Sequence, residues 1–336
     1  MVRVGVFGAT GEVGREIINV LHATKFPVDK LDLFAGSSAG ADIETPYGQM
    51  RIQDSGSADY SSLDLAFWAV NKDWSAENWE KARGTACYVV DNSSAFRLSD
   101  GYPLIVPEIN SSILENYPPG LIANPNCTTA IAAIPLDVIN RTAGIEKIIF
   151  TTYQSVSGAG NGGIQELQEE TRNYLEGKPV GNRKFQHPIP FNMIPHIDAF
   201  QENGYTREEM KTDWETKKIL GLGYVKISSG CARVPVERSH AEDIIVETTL
   251  PVDFDEYRKT LENTPGIKVS DDPLNNVYPM PVNTSNHYPV EVGRIRGPVV
   301  FDNGIRMVVC GDQLLRGAAL NAVNIGRKLY DFGKIR

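Results

Sequence analysis

A cysteine that follows Asn-Pro-Asn is the place where this chain could do covalent chemistry. Cys127 comes after Asn124-Pro-Asn126 and before Thr128-Thr-Ala-Ile, so a turn with an asparagine cap delivers it to the first turn of a helix. Unpaired amides there put the sulfur in positive potential, which lowers a thiol pKa from about 8.5 toward roughly 3.5–7.5 and provides a thiolate nucleophile at neutral pH. A small residue fitted into a tight cap is the bland alternative; it loses weight because the helix would start at a domain junction, where clefts form. A thiolate that attacks a carbonyl needs a partner to move protons, and five histidines are available. His187, His196 and His287 lie near prolines in loop-like stretches and His22 on a helix; His240 closes Arg233-Val-Pro-Val-Glu-Arg-Ser-His240, read as a short strand from an arginine to a histidine. On spacing alone it is the best of the five and no more. Cys87, Cys231 and Cys310 sit in or beside apolar runs and read as small buried hydrophobes.

The second chemical signal is a glycine turn. Gly8, Gly11 and Gly14 follow the strand-like run Val2 to Phe7 and open a helical pattern, Arg15 to Ala23. That spacing lets backbone approach a pyrophosphate while the amides of the helix face its charge. At the end of the next strand, where an NAD enzyme places an acid on the ribose, the sequence reads Ala35-Gly-Ser-Ser-Ala-Gly40. No acid stands there, and small hydroxyls leave room for a 2′-phosphate, although no arginine accompanies them. NADP is preferred, with NAD left open.

The elements that must position these residues alternate in the first part of the chain. Further strands are expected at Leu31 to Ala35, Leu65 to Val70, Tyr88 to Val90, Leu104 to Val106 and Leu121 to Ala123, with a helix at Ala76 to Ala82. Such alternation predicts a parallel, doubly wound sheet of Rossmann type. After Asn124 the pattern changes to helix (Thr128 to Asn140), strand (Ile145 to Tyr153) and helix (Gly163 to Leu175). A Pro-rich loop from Lys178 to Phe200 precedes a helix at Glu208 to Leu220, then strands including Ala232 to Val236, Ile244 to Leu250 and Met307 to Val309. The fold class is therefore α/β, with a second, α+β domain. The boundaries expected are 1–126 for a dinucleotide-binding domain, rejoined by a C-terminal helix in 312–336, and 127–311 for the second domain.

Bulk properties narrow the partners. The 336 residues are 41% hydrophobic and carry a net charge of −9, so nucleic acid would be repelled and any anion must bind at a local positive site. Apolar runs such as Ala130 to Leu136 are far short of the roughly 20 residues that cross a bilayer, and no secretory signal precedes the first strand. Four scattered cysteines show neither metal-ligand nor disulfide spacing. A cytoplasmic protein with no metal, membrane or nucleic-acid partner is expected.

Six segments together resemble the aspartate-semialdehyde dehydrogenase family. They are Gly8-Ala-Thr-Gly-Glu-Val-Gly14, Asn124-Pro-Asn-Cys-Thr-Thr129, Tyr153-Gln-Ser-Val-Ser-Gly-Ala-Gly160, Glu215-Thr-Lys-Lys218, Arg233-Val-Pro-Val236 with His240, and Gly311-Asp-Gln-Leu-Leu-Arg-Gly-Ala-Ala319. They occur in the family order and cover nearly the whole chain. The resemblance implies NADP-dependent reductive dephosphorylation of L-aspartyl 4-phosphate to L-aspartate 4-semialdehyde through a thioester, in the aspartate pathway to lysine, threonine and methionine. Cys127 is then the nucleophile, Gln154 holds substrate near the thiol, and His240 is the acid/base at the hemithioacetal oxygen. Arg233 clamps the α-carboxylate, Glu215 the α-ammonium, and Arg97 and Lys218 the transferred phosphate. Thr10, Gly11, Glu12 and Val13 meet the pyrophosphate, Ser37 and Ser38 the adenosine ribose, Ser157 and Gly158 the nicotinamide, with Gln313 arriving from the returning segment. The family also implies a catalytic and dimerisation role for the second domain, and a homodimer.

Three positions depart from the family pattern. Ser37 stands where an arginine is common, Phe67-Trp-Ala-Val-Asn-Lys72 replaces a small, Gly-rich stretch, and Ser239 precedes His240 where a glycine is frequent. Two other readings compete: an N-acetyl-γ-glutamyl-phosphate reductase, whose acetylated substrate would need no acid beside Arg233, and a dinucleotide-binding regulator without catalysis.

Overall fold

A computed structural model describes residues 2–181 and 183–336; Met1 and Asn182 lie outside the described residues. The chain divides into two compact units, Met1–Asn126 with Gly317–Arg336, and Cys127–Arg316.

In the first unit, β1 (Val2–Phe7) leads into α1 (Glu12–Ala23), followed by β2 (Val28–Ala35), a hairpin of β3 (Asp42–Thr45) and β4 (Gly48–Asp54), β5 (Leu65–Trp68), α2 (Lys72–Ala82), β6 (Tyr88–Asp91), the single turn α3 (Pro107–Asn110) and β7 (Leu121–Ala123). The seven strands lie in the order β3-β4-β2-β1-β5-β6-β7. All neighbours run parallel except the β3/β4 hairpin at one edge. The chain moves outward from β1 to β2 and returns to β5 on its other side, which creates the switch point where doubly wound sheets hold nucleotides. Leu104 to Val106 makes only one bridge, Leu104 to Ala123, and not the expected strand; Pro103 and Pro107 withhold the donors a ladder would need. The C-terminal helix, Leu320–Asp331, packs in this unit: its Asn321 Nδ2 donates to the carbonyl of Ile105 (2.9 Å) and to Asn124 Oδ1 (2.7 Å).

Trp68, at the end of β5, is fully buried and points into an aromatic cluster. Its ring meets Phe7 (6.3 Å), Trp74 (5.3 Å) and Trp79 (6.5 Å) edge-on. The bulky replacement in this loop is therefore core packing, where large rings contribute most of their stabilisation.

In the second unit the elements are α4 (Cys127–Ala143), β8 (Ile145–Gln154), α5 (Asn161–Leu175), α6 (Arg207–Leu220), β9 (Lys226–Arg233), β10 (His240–Thr248), α7 (Phe254–Glu262), β11 (Ile267–Val269), the single turn α8 (Pro281–Thr284), β12 (Val290–Arg296) and β13 (Gly304–Gly311). Six strands form a mixed sheet in the order β11-β12-β13-β10-β8-β9. The alternation of buried and accessible residues along β10, and along β8 from Ile148 onward, turns one face of this sheet toward a core that includes Ile131, Leu136 and Ile139 of α4. The expected strand Ala232 to Val236 instead ends at Arg233, because Pro235 cannot continue a ladder. Arg233 and His240 are thus joined by a loop, and β8 stands between their strands. The Pro-rich loop is tied to α5 through two buried acids: Glu166 accepts the amides of Arg183, Lys184 and Phe185, and Glu170 that of Ile189. Among the described residues no helix is long and apolar enough to cross a membrane.

Candidate active site

In the second unit three strand ends and one helix start converge. Gln154 is the last residue of β8, Arg233 the last of β9 and His240 the first of β10. The parallel register pairs Gln154 with Arg233, and the antiparallel register puts His240 opposite Gly311. Cys127 is the first residue of α4 and half-buried, so its sulfur stands at the positive end of a 17-residue helix. Cys127 Sγ lies 3.4 Å from His240 Nε2. The other four histidines are exposed or half-buried. Cys87, Cys231 and Cys310 are buried, and burial pushes their thiols well up, which leaves them protonated and inert.

His240 is completely buried, and burial pushes its pKa down to about 3, with the positive charge of Arg233 acting in the same direction. The ring is neutral at neutral pH. The amide N–H of Ser155 donates to its Nδ1 at 3.1 Å. Arg233, also buried, donates from Nη1 to the carbonyl of Ser155 at 2.6 Å, and burial lowers its own pKa. A Cβ on Gly158 would lie 2.8 Å from Arg233 Nη1 and 3.4 Å from His240 Cε1, so a glycine is needed for backbone to pass this close.

The sequence reading missed Glu208. A capping box, Thr206 with Glu209, starts α6 and fixes Glu208 in its first turn. There Glu208 Oε1 accepts from Gln154 Nε2 at 3.1 Å, and Oε2 accepts from Lys211 Nζ at 2.9 Å. Lys211 also reaches Asp198 at 2.8 Å. Glu215 is buried and Lys218 half-buried, seven residues farther along the same helix, which is about 10 Å at 1.5 Å per residue. Gln154, Arg233, His240 and Cys127 are brought together; the acid that joins them is Glu208.

The residues expected at a dinucleotide divide between the units. In the first, Gly11 caps α1 with no side-chain hydrogen bond, so the amides before Glu12 and Val13 are not claimed by a cap. A Cβ on Gly14 would lie 2.1 Å from the Gly8 carbonyl, so the turn closes only around glycine. This cradle fits a pyrophosphate. Thr10 Oγ1 lies 3.3 Å from Ser38 Oγ, and Ser37 is exposed. The arginine missing from that turn has a neighbour on β4: Arg51 Nη2 lies 3.9 Å from where a Cβ on Gly40 would be, and Arg51 pairs loosely with Asp42 (3.7 Å). The edge hairpin that carries it gave no periodic signal. Arg97, buried in the same unit, donates to the Asn92 carbonyl at 2.8 Å. In the second unit Gln313 donates to Ser157 Oγ and accepts the amide N–H of Ser239 at 2.7 Å.

Residues 3–117 match the family model described as semialdehyde dehydrogenase, NAD binding domain, and residues 136–316 the one described as semialdehyde dehydrogenase, dimerisation domain. The chain is 40% identical to the aspartate-semialdehyde dehydrogenase of Aquifex aeolicus, over 99% of each chain. It is also 40% identical to aspartate-semialdehyde dehydrogenase 2 of Vibrio cholerae, over 97% of each. A crystal structure of aspartate semialdehyde dehydrogenase II from Vibrio cholerae, complexed with ASA, superposes with a TM-score of 0.94 at 38% identity and covers 98% of each chain.

Proposed function

Because this chain belongs to the aspartate-semialdehyde dehydrogenase family, we propose that it reduces L-aspartyl 4-phosphate to L-aspartate 4-semialdehyde through a thioester on Cys127, with release of inorganic phosphate. One observation carries the reading: the sulfur at the start of α4 lies 3.4 Å from a buried, neutral imidazole. Cys127 as thiolate attacks the acyl carbon and expels phosphate, while His240 and the amides at the start of α4 hold the oxygen of the adduct. When bound, the reduced nicotinamide supplies the hydride that converts the thioester to a hemithioacetal. That adduct collapses at Cys127 and frees the aldehyde.

Arg233 holds the α-carboxylate through its planar fork. Glu208, bonded to Gln154, takes the α-ammonium role that sequence assigned to Glu215. A buried acid at this point favours a free amine over an acetylated one. Arg97 and Lys218 are proposed for phosphate, with Lys211 as a third cation. The cofactor is NADP, with NAD as the other nicotinamide the turn admits; Thr10 to Val13 cradle the pyrophosphate, Ser37 and Ser38 meet the ribose, and Ser157 and Gly158 flank the nicotinamide. Arg51 offers the positive charge a 2′-phosphate needs. The assembly is proposed to be a cytoplasmic homodimer formed through the second unit, serving the pathway to lysine, threonine and methionine. The protein with phosphate, aspartate 4-semialdehyde and NADP should generate the absorbance of the reduced cofactor; absence of that signal with either nicotinamide would reject the reading.

A further inference from the structure

The Pro-rich loop reaches the site through one aromatic ring. On α5, Glu166 is buried and its carboxylate accepts three successive amides, those of Arg183, Lys184 and Phe185, an arrangement that holds an anion and fixes the chain around it. One helical turn later Glu170 accepts the amide of Ile189 at 3.1 Å. Ile194 then exchanges both backbone hydrogen bonds with Arg233, at 2.9 and 2.8 Å. Between these ties Phe185 is buried, and the guanidinium of Arg233 lies over its ring, with Cζ 5.8 Å from the centroid. Room for the ring is left at the start of α5, where a Cβ on Gly163 would lie 3.1 Å from Phe185 Cζ.

Arg233 is buried, and among the described residues its side chain makes one hydrogen bond, from Nη1 to the Ser155 carbonyl at 2.6 Å. Phe185 lies against one face of this planar cation, and Gly158 passes within contact of Nη1. The edge that carries Nε and Nη2 is the one left to take a carboxylate in a bidentate grip. A ring against a desolvated cation counts for more than one against a solvated cation, because water no longer competes for the charge. Phe185 also belongs to a small apolar cluster with Val156, Leu167, Ile189 and Ile194, which would be its whole role if the contact with Arg233 were incidental.

We propose that Phe185 is a positioning residue for the carboxylate clamp and that Glu166 is the latch that sets it. The ring holds the Arg233 guanidinium in one plane with its Nε/Nη2 edge toward the substrate, and so determines selectivity for an aldehyde that carries an α-carboxylate. This rests on the proposed reaction and deepens it. Neither residue touches the reacting carbon, and neither gains or loses a proton. Their contribution is made when substrate binds and persists through the later steps, so it appears in KM and not in kcat.

The test compares aspartate 4-semialdehyde with 3-aminopropanal, the same aldehyde without its carboxylate, in steady-state oxidation by the full-length protein with phosphate and NADP. In place of Phe185, 3-fluorophenylalanine and 3,5-difluorophenylalanine keep the shape of the ring and withdraw electrons from its face. KM for aspartate 4-semialdehyde should rise stepwise, to about threefold with the second fluorine, while kcat stays within about twofold. Phe185→Leu refills the cluster but presents no ring face, and should raise that KM about tenfold. Glu166→Gln leaves a single acceptor where the amides converge, and should raise the same KM in the same direction. For 3-aminopropanal, kcat/KM should stay within about twofold in every variant. Thermal melting checks folding, and the fluorinated proteins decide the matter if Glu166→Gln does not fold. Equal losses on the two aldehydes, or a KM that ignores fluorination, overturns the inference and leaves the reaction intact. Failure of the wild type to oxidise aspartate 4-semialdehyde would refute the reaction and this inference with it.

Discussion

Gln154 Nε2 donates to Glu208 Oε1 at 3.1 Å, which joins the end of a sheet strand to the first turn of α6 and supports the proposal of Glu208 as the acid of the site. Glu208 is also braced by Lys211 and, through it, Asp198. Glu208→Gln keeps an acceptor for Gln154 but removes the charge, so KM for aspartate 4-semialdehyde should rise roughly ten- to hundredfold, the range expected for a charged hydrogen bond. Glu215→Gln should leave KM within about twofold. Steady-state kinetics of both variants decide the assignment; the opposite order would return the role to Glu215.

Arg51 stands beside the turn that ends at Gly40 and makes a loose 3.7 Å contact with Asp42. Arg51→Ala should raise Kd for NADP about tenfold and leave Kd for NAD nearly unchanged, because only the former carries the 2′-phosphate. Titration calorimetry with the two cofactors reads the difference directly. Equal losses would remove Arg51 from the choice of cofactor.

Ser239 has φ +73°, in the left-handed region. Its hydroxyl receives one long bond, 3.3 Å from Ser285 Oγ, and Ser285 keeps a better one to the Pro281 carbonyl at 2.8 Å. Relief of backbone strain should therefore outweigh the lost contact, and Ser239→Gly should stabilise the protein by about 1 kcal/mol. Urea unfolding measures this; a destabilised variant would mean the hydroxyl matters more than the strain.

How much of this was visible in the sequence depends on the element. Val2 to Phe7 with its glycine turn was legible, because a buried strand, a turn that admits no Cβ at Gly14 and an amphipathic helix follow one another locally. The hairpin β3/β4 was not, since exposed edge strands lack apolar alternation. On α6 the pattern Glu-x-x-Lys occurs twice, at Glu208/Lys211 and Glu215/Lys218, seven residues apart. Two helical turns place both copies on one face, so only the contact with Gln154 distinguishes them. Ser155 and Ser157 lie in the segment Tyr153 to Gly160 that carries the family resemblance, but their contacts with His240 and Gln313 come from the fold and are not legible in the segment itself.

The buried His240 also predicts a pH dependence of stability. Its folded pKa is depressed to about 3 from an ordinary value of 6.5. As pH falls below 6.5 the unfolded chain takes up a proton that the folded ring refuses, so stability is full above that point and declines below it. At about 1.4 kcal/mol per pH unit, the wild type should lose about 2 kcal/mol more than His240→Gln between pH 7 and pH 5. Parallel urea unfolding at the two pH values tests this, and identical slopes would show that the ring takes up its proton while folded.

The thioester is the centre of the account, and trapping it is the most direct test. Wild-type protein mixed with aspartate 4-semialdehyde and NADP, without phosphate to release the acyl group, should accumulate one aspartyl group on the peptide containing Cys127, seen by mass spectrometry. Cys127→Ala should bind NADP yet show neither the adduct nor turnover. An adduct on another residue, or reduction of the cofactor by Cys127→Ala, would contradict the mechanism.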